Sequence, residues 1–486
     1  MQFGILKELI LYRYRYILAY VALIIICGGL TLWQLNSIPL GFSADEMNSA
    51  VAARHLKLNG SFVDGPYIAL QKVTLALFEV GTLGIRLPSV IYAILMVMAA
   101  YILLKRWFKE NIAIIGTLLI VTSTHFLLRG RTGSPAILYS LWPMLLLATG
   151  SLVIDRTKAW KFWLWCSFII VGFMFYTPYL VYVALAAAVL LFVSPSGRQI
   201  LFEAKFGIAA TSIFSLLLVV LPLGWSIYNH PEIIKPLLGI TEALPSLQAI
   251  TERAITLANG FFDFLHPQLG LGMTPYLSLP ALILSLYGLT RLCLKITEPR
   301  YTLVVSWFTL SILAIVIFNA PAALMFVPLM LLTIYGFYFF IRHWYELFPR
   351  NPYARMAALL PIAALLLVMM QFNFDRYFYG LARSNQVHEL YDADIKIAKA
   401  QLQKLPPLQS GVIVVDAHKQ AFFQLLTSSY PNLQILNPAE PLAEVPAYLV
   451  SAQTNTIATS VLQNRSMKLI TDSRKSEEAL RFKLYR

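Results

Sequence analysis

The chain has 486 residues, 58% of them hydrophobic and 13% charged, with a mean hydropathy of +0.68. That apolar excess excludes an ordinary soluble enzyme and predicts a polytopic α-helical membrane protein. The net charge of +14 would suit a nucleic-acid binder, but the lysines and arginines fall between the apolar runs, where membrane topology puts them, so no nucleic-acid partner is expected.

Taken in order, runs of spanning length fall at 16–35, 87–104, 112–128, 136–154, 162–176, 179–193, 206–228, 276–294, 301–318, 322–341 and 356–372, which gives about eleven transmembrane helices. Lys7, Arg13 and Arg15 precede the first run and no small-residue cleavage pattern follows it, so it reads as a retained span. The fifth and sixth runs are short and separated only by Thr177-Pro178. Basic loops on either side, Arg156/Lys158/Lys161 and Arg198/Lys205, indicate that the chain goes out and returns there. With a cytoplasmic N-terminus, the loops carrying Lys105/Arg106/Lys109, Arg291/Lys295/Arg300 and Arg342/Arg350/Arg355 join these on the cytoplasmic side. The stretches 36–86, 129–135 and 229–275 and the C-terminal tail then lie outside a multi-pass cytoplasmic membrane protein.

The first outer loop reads as helical. Ser43 followed by Glu46 fits a capping box, Met47, Ala50, Val51 and Leu58 give an apolar face, and Asn59-Gly60 is a stop signal. A second amphipathic stretch at 67–80 would also lie along the membrane interface. After residue 372 the texture is that of a small α/β layer structure, with strands at 411–416, 434–437, 447–451 and 467–471 and helices near 420–428 and 456–463. The expected organisation is a transmembrane catalytic domain at 1–375, with interfacial helices within 37–86, and an extracytoplasmic α/β domain at 376–486. Asp416, at a strand end before a helix, reads as an N-cap rather than a site residue.

Chemistry concentrates in the outer loops. Asp45 and Glu46 stand in the first turn of a helix at the lip of the first span. Complementing the helix dipole and closing the capping box suits Glu46 and leaves Asp45 free to accept a proton from an attacking hydroxyl. Arg129 and Arg131 follow the third span on the side where arginine is disfavoured, and a guanidinium fork there suits a lipid phosphate; head-group anchoring is the plainer alternative. Arg54, Lys57, Lys72 and Arg86 add cations to the first loop. Cys27, Cys166 and Cys293 lie in or beside apolar runs, and His125, His230 and His266 lack ligand spacing, so neither a disulfide framework, a metal site nor a cofactor is predicted; dependence on a divalent metal stays open.

The segments ADEMNSAVAARHLKLNGSF (44–62) and TLGIRLPSVIYAIL (82–95) resemble the first outer loop and second span of the bacterial dolichyl-phosphate-mannose-protein mannosyltransferase-like family, of GT-C fold, which includes aminoarabinose transferases of lipid A. TSTHFLLRGRTGSPAILYSLWPMLLL (122–147) is similar to the family's third span, arginine-bearing loop and fourth span, and GFMFYTPYLVYVALAAAVLLF (172–192) to its fifth–sixth hairpin. The resemblance implies an inverting glycosyltransferase that moves a sugar from a polyprenyl-phosphate donor to an acceptor hydroxyl on a glycan, lipid or protein. It matches Asp45 to the catalytic aspartate, Glu46 to its acidic neighbour and Arg129 to the loop arginine. Thr132-Gly133-Ser134-Pro135 stands where relatives often carry an acidic residue, and the Lys-Pro-Pro-Leu motif is missing, with Lys72 as its nearest counterpart. A lipid-carrier flippase, or a non-catalytic relative that binds lipid-linked sugars, are the competing expectations.

Overall fold

A computed structural model describes residues 14–392, except 40, 57–59, 79, 204–205, 241–244, 266–272, 349–351, 358, 385–386 and 388–389, and beyond them 411–428, 433–437, 447–451, 467–470 and 482–485. Its described helices of eight or more residues, in chain order, are α1 (Arg15–Leu32), α2 (Ala44–His55), α3 (Gly65–Phe78), α4 (Thr82–Trp107), α5 (Glu110–Thr122), α6 (Thr124–Arg131), α7 (Leu138–Ile154), α8 (Trp160–Met174), α9 (Leu180–Val193), α10 (Pro195–Glu203), α11 (Phe206–Asn229), α12 (Leu247–Phe262), α13 (Leu279–Cys293), α14 (Pro299–Phe318), α15 (Phe326–Leu347), α16 (Leu359–Phe374) and α17 (Ala417–Leu426). Among the described residues, seven helical segments are long and apolar enough to cross a membrane; α5 and α6 form an eighth as a bent pair, and α8, α9 and α13 are shorter apolar helices. They fall on the eleven stretches expected from hydropathy, and the protein is a polytopic membrane protein.

The third stretch departs from the simple picture. It breaks at Ser123, whose extended backbone (φ −67°, ψ 141°) caps α6 through its hydroxyl, and the two halves meet at 59°. A capping serine ends one helix and starts the next, because its side chain satisfies a donor that the preceding turn would otherwise have used. The bend carries Arg129 and Arg131 on a short helix of their own, packed against α4, where Gly130 leaves only 3.0 Å between a Cβ and that of Ala93. At the crossing of α13 and α15, Gly288 and Gly336 let two helix backbones touch, since a Cβ on either would overlap the other helix's carbonyls.

The ends of the bundle differ in chemistry. At one, Arg106 and Arg300 both approach Asp155 (4.0 and 3.9 Å), Lys105 pairs with Glu110 at 2.6 Å and Arg156 with Glu203. These are the basic loops. Since α4 spans 26 residues, about 39 Å at 1.5 Å per residue, Arg86 near its start belongs to the opposite end, together with the loops at 36–86 and 129–135.

Among the described residues there are two sheets. A two-stranded ribbon pairs β1 (Phe42–Ser43) antiparallel with β2 (Tyr391–Asp392), setting Ser43 opposite Tyr391. The other has β3 (Gly411–Val414), β4 (Leu433–Leu436), β5 (Ala447–Ser451), β6 (Met467–Ile470) and β7 (Phe482–Tyr485) in the order β4-β3-β5-β7-β6, parallel around β3 and antiparallel at β7. Strand β7 was not foreseen, and the helix expected at 456–463 and Lys57 lie outside the described residues. Phe422 and Phe423 of α17 pack with Phe42, Met47, Ala50 and Ile85, and the Phe42 and Phe422 rings are 5.7 Å apart. The α/β layer therefore rests on α2. The chain stays helical past the expected boundary at 375, through a π-turn at Asp375–Gly380.

Candidate functional site

The site is built on the start of α2. Ser43 Oγ accepts from the Glu46 amide at 3.3 Å and Glu46 Oε2 accepts from the Ser43 amide at 2.9 Å, so the capping box forms as its sequence implies. The same carboxylate then does more. Its Oε1 accepts from Arg86 Nε at 2.7 Å and from the Gly133 amide at 2.8 Å, and its Oε2 from Arg86 Nη2 at 3.2 Å. Arg86 donates its remaining hydrogens to the carbonyls of Leu35 (2.8 Å), Pro39 (3.0 Å) and Gly41 (2.6 Å). Both side chains are fully buried.

A guanidinium offers five N–H donors and a carboxylate about four acceptor positions. Here all are used within the protein, tying α1, α2, α4 and the loop after α6 into one knot. Glu46 and Arg86, expected as a catalytic neighbour and a phosphate ligand, are thus placed with no donor or acceptor left to offer. Gly133 belongs to the same knot: a Cβ there would come within 2.7 Å of the Ile85 carbonyl, and its own carbonyl accepts from Ser49 (2.7 Å) and Gln71 (3.3 Å).

Asp45 is exposed, one position before this buried anchor. It lies close enough to Arg129 for its charge to act on that guanidinium, as do the hydroxyls of Tyr391, Tyr139 and Tyr276. Arg129 Nε is buried with no hydrogen-bond partner.

Arg131 has a different environment. Its Nε donates to the Tyr377 hydroxyl at 3.1 Å, Nη2 to the Ile38 carbonyl at 3.1 Å and Nη1 to the Leu30 carbonyl, with Tyr377 and Phe378 rings against its guanidinium at 5.2 and 4.9 Å. It is fully buried and pins the end of α1 to the π-turn. The two arginines of one loop, expected alike at a lipid phosphate, therefore part company. Arg54 is exposed nine residues after Asp45; at about 100° per residue that is the far side of α2. Lys72 is exposed and its Nζ donates to the Leu56 carbonyl at 2.9 Å, holding the end of α2 to α3.

Residues distant in sequence complete the surroundings. Arg376, 8% exposed, comes from the π-turn; its Nη1 donates to the Pro275 carbonyl, and its Nε and Nη2 are buried without partners. Arg376 and Arg129 both act on His125, whose Nε2 is also buried and unpartnered. Tyr391, brought in by β2, is fully buried with its hydroxyl unpartnered, and burial pushes its phenol well above the usual range. Asp64, before α3, has its amide bound to the Tyr176 carbonyl at 2.8 Å and its carbonyl to the Tyr67 amide at 2.9 Å. Burial pushes its carboxyl up to about 7, against the opposing effect of the Thr177 hydroxyl, and its Oδ1 has no partner. An arginine in an apolar helix end or an aspartate before Gly-Pro was the available signal, but neither carries information about which loop it will meet.

Residues 66–225 match the family model described as dolichyl-phosphate-mannose-protein mannosyltransferase. No curated protein matches the chain. Among solved structures, ArnT from Cupriavidus metallidurans in the apo state is 13% identical with a TM-score of 0.58, over 97% of this chain and 98% of that one. The same protein bound to undecaprenyl phosphate is 12% identical with a TM-score of 0.56 over the same shares. The Archaeoglobus fulgidus oligosaccharyltransferase tethered to an acceptor peptide is 12% identical with a TM-score of 0.54, over 89% of this chain and 64% of that one. The chain has the GT-C fold, and its residues 66–225 are similar to the dolichyl-phosphate-mannose-protein mannosyltransferase family.

Proposed function

We propose that this GT-C protein is an inverting glycosyltransferase that moves a sugar from a polyprenyl-phosphate donor to an acceptor hydroxyl at the extracytoplasmic face of the cytoplasmic membrane. The observation that carries the reading is the contrast between two adjacent carboxylates: Glu46 is wholly consumed by Ser43, Arg86 and Gly133, while Asp45 is exposed, with its charge acting on Arg129. The buried anchor fixes the first turn of α2 and so fixes Asp45, which is what a general base needs to reach a hydroxyl without reorganisation.

In the proposed step the acceptor oxygen bonds to the anomeric carbon and its proton passes to Asp45. The bond from that carbon to the phosphate oxygen breaks, and the phosphate leaves with the electron pair. Arg129 meets the charge that develops on the leaving oxygen. Support for the donor class comes from the undecaprenyl phosphate bound to ArnT and from the family matched over 66–225. The cations gathered at the far end of the bundle, Lys105, Arg106, Arg156 and Arg300, support an extracytoplasmic Asp45 by the positive-inside rule. Glu46, Arg86 and Arg131 act as positioning residues, and Arg54 and Lys72 as interfacial cations at the lipid head groups.

The test is turnover in proteoliposomes supplied with undecaprenyl-phosphate sugars. Asp45→Asn should abolish transfer while the thermal midpoint in detergent stays within a degree or so of the wild type, since the side chain is exposed. Full turnover by this variant would sink the assignment.

A further inference from the structure

Two arginines approach this site from different elements. Arg129 comes from the bent third span and Arg376 from the π-turn that ends the last one. His125, on the same short helix as Arg129, has its ring 5.4 Å from that of Tyr276, the residue after Pro275, whose carbonyl Arg376 holds, so the three side chains belong to one region, where both arginines also act on His125. Among the described residues neither arginine forms a salt bridge, and the carboxylate next to Arg376 is engaged elsewhere, Asp375 Oδ1 accepting from Gln371 at 2.7 Å. Asp45 is the carboxylate whose charge reaches Arg129.

The unused donors are specific atoms, Nε of Arg129 and Nε and Nη2 of Arg376, each buried, and His125 Nε2 is buried and unpartnered beside them. Arg376 Nη1, by contrast, is fixed to the Pro275 carbonyl, which orients the plane of the guanidinium and leaves its Nε–Nη2 edge unpaired. That edge is the one that binds a phosphate or carboxylate with two parallel hydrogen bonds. Burying unpaired cationic donors is costly, and structures retain them where a ligand completes them.

We propose that Arg376 is a second phosphate ligand of the donor site beside Arg129, its Nε–Nη2 edge holding two oxygens of a phosphomonoester dianion. Arg376 lies outside the stretch 66–225 that matches the family model, and the proposal rests on the lipid-phosphate reading above. Two guanidinium groups suit the doubly charged phosphate left after transfer more than the singly charged phosphodiester of the intact donor. The site therefore binds the spent lipid carrier more tightly than the donor, as a group placed to stabilise a leaving phosphate should.

The experiment measures binding of purified full-length protein in detergent to undecaprenyl phosphate, undecaprenol and inorganic phosphate. Undecaprenyl phosphate should bind best. Arg376→Gln should weaken it about tenfold or more, the usual effect of losing a charge-assisted bidentate contact, with undecaprenol affinity unchanged; Arg376→Lys should recover part of the loss. Arg376→Lys, which keeps the buried charge, serves as the reporting variant if the glutamine form does not fold, and should bind several-fold more weakly because it cannot fork. Equal affinity of these variants and wild type would overturn the Arg376 assignment alone. A wild-type protein that does not distinguish undecaprenyl phosphate from undecaprenol would overturn the donor reading with it, and inorganic phosphate binding as tightly as the lipid would replace the lipid by a soluble ligand.

Discussion

Arg86 reaches Glu46 across forty positions of sequence, Nε to Oε1 at 2.7 Å, with both side chains completely buried. A buried ion pair is retained at a desolvation cost and is stable only when every remaining lone pair and hydrogen is matched; here the Ser43 and Gly133 amides and three carbonyls of the chain between Leu35 and Gly41 do the matching. Removing one partner strands the other. Glu46→Ala and Arg86→Ala should each destabilise by about 3–5 kcal/mol, read as a lowered thermal midpoint and reduced yield from membranes. Restoring the midpoint with a bound lipid phosphate would contradict the purely internal role of Arg86.

Arg129 and Arg131 are two residues apart and separate cleanly by what they touch. Arg131→Gln loses the Ile38 and Leu30 carbonyls and the Tyr377 hydroxyl, so its effect should fall on stability, by about 2–3 kcal/mol as expected for hydrogen bonds from a charged group. Arg129→Gln loses no hydrogen bond from its buried Nε and should leave the thermal midpoint near that of wild type, while lowering donor turnover by about 10²-fold. Thermal unfolding and proteoliposome turnover of the pair decide it; parallel losses in both assays would refute the division.

How much of this was legible in the sequence depends on range. The capping box at Ser43 and Glu46 is local, requires only a three-residue spacing, and forms as read. Spans are local too, because a bilayer-length apolar run has few alternatives. The fate of Arg86 was not legible, since Gly-Ile-Arg before a span is equally compatible with a head-group anchor and a buried tie; only the fold brings Leu35, Pro39, Gly41 and Glu46 around it. Arg131 was grouped with Arg129 on proximity alone, yet in a helix two residues apart point about 200° away from each other. Tyr391 and Arg376 lie far along the chain from α2 and reach the site through a strand pairing and a π-turn that no periodicity announces.

Asp64 predicts a pH dependence. Its carboxyl titrates near 7 in the folded chain because burial disfavours the charged form, against an unfolded value of about 3.9. A raised pKa means that the folded state holds the proton more firmly. Its contribution is whole below about pH 4 and declines as the pH rises, by up to about 1.4 kcal/mol per unit, until it is gone above about pH 7. Asp64→Asn cannot ionise. The stability difference between the variant and wild type should therefore grow in the variant's favour between about pH 4 and 7 and then level off. Denaturation curves in detergent across that range check it, and a difference independent of pH would rule it out.

Tyr391 offers a test of whether the far end of the chain belongs to the site. It sits opposite Ser43 in the β1–β2 ribbon, its ring is fully buried, and its hydroxyl has no partner although it lies close enough to act on Arg129. A hydroxyl buried without a hydrogen bond lowers stability, so Tyr391→Phe keeps the packing and removes the cost; the thermal midpoint should hold or rise. If the hydroxyl is reserved for a ligand oxygen near Arg129, the same substitution should slow glycosyl transfer several-fold. Greater stability with poorer turnover is the pattern of a group kept for function. Unchanged turnover with raised stability would leave β2 a structural strap and confine the donor site to the arginines.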